Sequence, residues 1–173
     1  MKKLFLVGVL ALLGIANAQQ NSVKVAPFSL LLFGKDMVTY ERAVGEKSSV
    51  GLGAGLGALK AGDLSYNNVG GTLFYRYYFK EVLKGWYGMG AIAYGGGTVK
   101  NTEDSDIEKV KFNSFNGKIK AGYQWLWNSG FTLDINGGFG YNSFNYNTNT
   151  QDISDLKASG ILPAFGLALG YSF

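Results

Sequence analysis

The chain has no cysteine and no histidine among its 173 residues. Without cysteine there is no disulfide framework and no thiol chemistry. Without histidine the commonest catalytic base is missing. Proline is nearly absent too: Pro27 and Pro163 are the only two, and each removes a ladder donor, so both are expected toward strand ends. A large excess of one charge is also lacking. Lys and Arg number 16 against 12 Asp and Glu, and Lys2 and Lys3 lie in a leader, which leaves 14 against 12. That balance does not suggest a nucleic-acid partner. Beyond the leader no apolar run approaches the roughly 18 residues of a membrane-spanning helix.

What is abundant is glycine, 26 residues, and aromatics, with 12 Phe, 11 Tyr and 3 Trp. Glycine with aromatics at this density indicates β-structure with close backbone packing, because disordered chains are aromatic-poor. The length suits one domain.

Residues 1–18 read as a secretory signal peptide. Lys2 and Lys3 supply the charged start, residues 4–15 the short apolar stretch, and Ala16-Asn17-Ala18 a small-x-small cleavage site. The mature domain then runs over residues 19–173. From residue 160 the chain alternates. Ile161, Pro163, Phe165, Leu167, Leu169, Tyr171 and Phe173 are bulky or apolar, and the positions between are mostly Gly, Ala or Ser. That period of two makes a strand with one greasy face, and lipid would cover that face in a transmembrane barrel.

The preceding chain reads as seven more strands, over residues 23–33, 37–44, 50–59, 72–79, 86–98, 111–127 and 131–146. The third is the cleanest, with Val50, Leu52, Ala54, Leu56 and Ala58 opposite four glycines. The first has undetermined parity because Leu30 to Leu32 are all apolar. For the fifth, Tyr87, Met89, Ala91 and Ala93 are assigned outward. Short turns at 45–47, 80–84 and 128–130 alternate with longer connections at 63–71, 101–109 and 147–159, and 34–36 is a tight turn. The expected architecture is all-β: an eight-stranded antiparallel up-and-down transmembrane barrel. Outward aromatics near the short turns (Tyr77, Phe79, Tyr87, Trp125, Trp127, Phe131, Tyr171 and Phe173) form an expected girdle.

Parity places Glu41, Arg76, Lys118, Lys120 and Asp134 inside. An eight-stranded barrel is filled by side chains, so these charges are expected to pair or meet water. Gly51, Gly53, Gly55 and Gly57 are expected to leave room for Glu41 and Arg76 to reach each other. Gly138, Gly140, Gly166 and Gly170 are expected to do the same near Asp134, Lys118 and Lys120.

The strand pattern resembles the small eight-stranded outer-membrane barrels of the OmpA-transmembrane, OmpX and OmpW type. Tyr40-Glu41-Arg42, a turn and a glycine-alternating strand also resemble a family of uncharacterised small outer-membrane barrels. The terminal run Phe165, Leu167, Leu169, Tyr171, Phe173 looks like the C-terminal assembly signal of such proteins. The resemblance implies a porin-like outer-membrane protein of a Gram-negative-type cell. It also implies contact with outer-membrane lipids and lipopolysaccharide, and recognition by the barrel-assembly machinery. Barrel enzymes of this kind use a catalytic histidine, which this chain lacks. Ser114 and Ser143 have no evident base, and a dyad with Lys118 or Lys120 is a weak alternative. No catalytic, cofactor or metal motif is present. Charges at Glu103, Asp104, Asp106, Glu108, Lys109, Asp152, Asp155 and Lys157 read as solvated loop residues. The expected role is non-enzymatic, structural or surface-interacting, around a side-chain-filled polar lumen. The alternatives are a narrow channel or carrier for small solutes, and a lipid-active enzyme.

Overall fold

A strand whose side chains alternate between bulky and small or polar separates two unlike surroundings, and a closed sheet gives it both. The computed structural model has that form. It describes residues 20–27, 36–61, 64–101, 110–147 and 159–173. The strands are β1 (Asn21–Val25), β2 (Val38–Ala43), β3 (Ser48–Ala61), β4 (Leu64–Tyr78), β5 (Gly85–Asn101), β6 (Val110–Leu126), β7 (Phe131–Asn147) and β8 (Gly160–Ser172). Each pairs antiparallel with the next, and β8 returns to β1, so the sheet is a closed up-and-down barrel. The seam runs from Ser22 opposite Ser172 to Val25 opposite Leu169. It is finished by two backbone bonds of 2.9 Å, from Asn21 N–H to Phe173 C=O and from Phe173 N–H to Asn21 C=O.

The connections at 44–47, 79–84 and 127–130 are short and sit at the end that holds the seam's termini; Ser172 N–H bonds Gly130 C=O there at 2.7 Å. The 79–84 turn folds across that mouth. Val82 N–H bonds Glu46 C=O at 3.0 Å, and Leu83 is fully buried with φ 64°. A leucine in the left-handed region costs roughly 1–2 kcal/mol. It is held there by packing against the inward cluster of Phe74, Tyr78, Tyr87, Met89 and Ala91, beside Val82 and Leu126. Leu83 is thus a stopper at the short-turn end.

The outside is apolar: Leu52, Leu73, Ile92, Ile119, Phe139, Ile161 and Phe165 are all exposed. A shallow groove of about 650 Å³ crosses this outer face, lined by Tyr40, Leu52, Leu73, Ile92 and Phe115 among others. The outward aromatics of the short-turn end include Tyr77, Phe79, Trp86, Trp125, Trp127, Phe131, Tyr171 and Phe173.

Two expectations are corrected. The fifth strand faces the other way: Tyr87 and Ala93 are 0% and 2% exposed, whereas Trp86 and Tyr94 are 61% and 62% exposed. Opposed residues of antiparallel neighbours share a face. Met89 lies opposite Arg76 and Ala91 opposite Lys118, so all four point inward and Tyr87 leaves the girdle. Second, residues 64–71 are strand rather than loop, paired with β3 up to Ala61 opposite Leu64 and with β5 up to Asn101 opposite Leu64. Ladder bonds do not depend on side-chain polarity, and Asn68 turns its amide into the space that Gly57 leaves without a Cβ.

Pro163 lies four residues into β8 on the exposed outer face, and Pro27 follows the end of β1. The signal peptide, the Leu30–Leu32 run, residues 34–35 and the loop charges at 102–109 and 148–158 fall outside the described residues.

Candidate functional site

Inside the barrel, just above the Leu83 stopper, lies a layer of four buried charges. Alternation turns Lys24 of β1, Glu41 of β2, Arg76 of β4 and Asp134 of β7 inward, and all are at most 5% exposed. Lys24 Nζ donates to Glu41 Oε2 at 2.6 Å, Gln124 Oε1 at 2.6 Å and Asp134 Oδ2 at 3.0 Å. Three acceptors use its three N–H bonds. Arg76 Nη1 lies 2.5 Å from Asp134 Oδ2, 3.2 Å from Glu41 Oε2 and 3.3 Å from Gln124 Oε1.

The other carboxylate oxygens are equally engaged. Glu41 Oε1 accepts from Ser49 Oγ at 2.5 Å and Tyr78 Oη at 2.7 Å. Asp134 Oδ1 accepts from Tyr87 Oη at 2.6 Å and Asn136 Nδ2 at 3.1 Å. The Arg76 guanidinium also stacks over Tyr87, 4.3 Å from its centroid, and lies 5.1 Å from that of Phe74. Two cations and two carboxylates cancel. Such a layer is tolerable in a buried interior because each charge is paired and every carboxylate oxygen is engaged, although Arg76 Nε and the Gln124 amide nitrogen have no partner among the described residues. Seven of the eight strands contribute a side chain, β1 to β7.

The glycines make room, though not all where expected. Glu41 and Arg76 do meet, but Ser49, inward and opposite Arg76, stands between their strands. The space at Gly51 is filled by the Phe74 ring, and a Cβ there would also meet Tyr40 O at 2.6 Å. Gly170 clears the path of Lys24, whose Cγ would lie 2.6 Å from an added Cβ. Gly166 does the same for Asn136, and Gly140 for Lys118.

Further from the short turns the lumen holds a second group. Lys118 Nζ pairs with Asp36 Oδ2 at 3.0 Å, and Lys120 Nζ bonds Asn136 Oδ1 at 2.9 Å. Beyond them Asn116 Nδ2 bonds Asn142 Oδ1 at 3.0 Å. The structure therefore gathers the five lumen residues named from the sequence into two layers: Glu41, Arg76 and Asp134 in one, Lys118 and Lys120 in the other. Sequence reasoning missed Lys24, Asp36, and the hydroxyls of Tyr78 and Tyr87. The Val23-Lys24-Val25 triplet was the available signal, since a lysine between two valines in a barrel strand points inward. Phe165, Leu169, Tyr171 and Phe173 stand exposed on the outer face of β8, and Leu167 is half-buried. Ser114 is buried, with its hydroxyl 3.4 Å from Gly95 O.

These features define a class: a small closed antiparallel barrel with an apolar exterior and an ion-paired interior. The family model described as "Protein of unknown function (DUF3575)" matches residues 4–154, and the chain belongs to that family. No curated protein matches it.

Proposed function

We propose that this protein is an integral outer-membrane barrel, exported with a signal peptide of residues 1–18 that is then cleaved, with a non-enzymatic structural or surface-interaction role. The observation that carries this reading is the inverted polarity. Lys24, Glu41, Arg76 and Asp134 are buried inside, while Leu52, Ile119, Phe139 and Ile161 are exposed outside. A soluble barrel needs the reverse. Along β7 the outward apolar residues run from Phe131 to Tyr141, about 25 Å once tilted, the height of an outer-membrane apolar band. The exposed aromatics at the short turns suit the interfacial girdle, and the outer face of β8 suits recognition by the assembly machinery. Lipids and lipopolysaccharide are the partners this exterior fits.

The lumen is a structural core rather than a path. A channel would have to break the ion layer and displace Leu83. The absence of histidine supports the non-enzymatic reading.

The test is single-channel recording on refolded mature chain in a planar bilayer, with folding shown by a heat-dependent gel shift. A quiet bilayer with shifted protein is expected. Reproducible current steps would overturn the closed lumen, and protein that stays soluble without detergent or lipid would overturn the membrane reading.

A further inference from the structure

Four cations line the described lumen (Lys24, Arg76, Lys118 and Lys120) against three carboxylates (Asp36, Glu41 and Asp134). The excess has an address. Among the described residues Lys24, Arg76 and Lys118 each have a carboxylate within 4 Å, and Lys120 has none. Its one partner is the neutral Asn136 amide oxygen, and the residue is 9% exposed. A buried ammonium without a counter-charge is costly, so it must be neutralised or hydrated.

Donors and access point the same way. Lys118 and Lys120 are two apart on β6 and share its inward face. Each ammonium has three N–H donors and spends one, on Asp36 and on Asn136. Four donors are left over. The ion layer is sealed, with Glu41 at 0% and Lys24 at 1% side-chain exposure, whereas Lys118 and Asp36 reach 14% and 27%. The two ammonium groups thus lie on the side of the sealed layer away from the short turns, where exposure rises.

We propose that the Lys118–Lys120 pair binds one small monovalent inorganic anion of the chloride type, which supplies the charge missing at Lys120. A single negative charge brings the described lumen to neutrality. A multiply charged anion would overshoot that balance.

The experiment is ³⁵Cl NMR line width on the refolded mature chain in nonionic-detergent micelles, with gluconate holding ionic strength constant. Wild type is expected to broaden the chloride line saturably. Lys120→Met should reduce the broadening to that of empty micelles, while Lys80→Met, at an exposed turn position, should leave it unchanged. Lys120→Gln serves in place of the methionine variant if that one fails the gel-shift check. No broadening by wild type would mean that water or loss of the proton neutralises Lys120, and would overturn the proposal. Equal broadening by folded wild type and folded Lys120 variants would place any chloride elsewhere and overturn it too. The measurement needs neither a bilayer nor a current, so its failure leaves the proposed location and closed lumen standing.

Discussion

Removing Asp134 is the sharpest perturbation of the lumen. Its two oxygens accept from four donors: Lys24, Arg76, Tyr87 and Asn136. Asp134→Asn keeps the shape but leaves Lys24 and Arg76 sharing the single carboxylate of Glu41. The new amide nitrogen must also face either two cations or two donors. Breaking a buried pair from one side costs about 3–5 kcal/mol, and Asp134→Asn is expected in that range. Arg76→Met alone leaves two carboxylates with only Lys24, at a similar cost of about 3–5 kcal/mol. The double variant restores balance, because one cation, Lys24, then faces one carboxylate, Glu41, 2.6 Å away. It should fall short of the summed single losses by about 2–3 kcal/mol. Urea unfolding of the barrel in lipid vesicles, followed by tryptophan fluorescence, measures all three. Additive losses would refute the argument that charge balance, rather than side-chain volume, holds this layer together.

Leu83→Asn keeps a residue that tolerates φ 64° but puts an amide in the stopper; a loss of about 2–3 kcal/mol in the same assay is expected, and unchanged stability would mean that Leu83 seals nothing. Gly51→Ala should cost about 1–3 kcal/mol, since its Cβ would overlap the Phe74 ring, whereas Gly117→Ala, with open space around it, should stay within about 0.5 kcal/mol of wild type; equal effects would remove the steric account. Ile119→Arg, at a position 78% exposed on the outer face, should destabilise the barrel in vesicles by about 2–4 kcal/mol. A neutral result there would contradict a hydrocarbon-facing exterior.

The strands were legible where large apolar residues and polar residues kept opposite parities. In β6, Ile119, Tyr123 and Trp125 alternate with Lys118, Lys120 and Gln124, and in β7 Leu133 and Ile135 alternate with Thr132 and Asp134; both strands face as read. The fifth strand was not legible because each parity carries an aromatic and small residues. Hydrophobicity cannot tell Trp86, which lies outside, from Tyr87, whose hydroxyl bonds Asp134 inside. Only the register with Arg76 decides it, and register is non-local. The length of β4 was hidden for a similar reason. Ser65, Asn67, Asn68, Gly70 and Gly71 have loop chemistry, yet the ladder on both sides satisfies their backbone. Of the charge layer, three members followed from parity. Lys24 did not, because the apolar run after it obscured which way its strand faced, and two of its three partners lie 100 and 110 residues away.

The position of Lys24 also bears on how the barrel is completed. Its strand is five residues long and meets β8 over only four residue pairs. The seam therefore joins the most distant parts of the chain through few backbone bonds, the kind of contact that forms late. Before it forms, the β1–β2 ladder can already bring Lys24 to Glu41, 17 residues away, but not to Asp134 across the open sheet. Closure in register lets Lys24 serve both carboxylates. A slip of one residue would turn Lys24 to the outside and a valine to the carboxylates. One lysine thus proofreads the closure: a barrel shut in the wrong register keeps an unbalanced charge at its centre, and a barrel shut correctly does not.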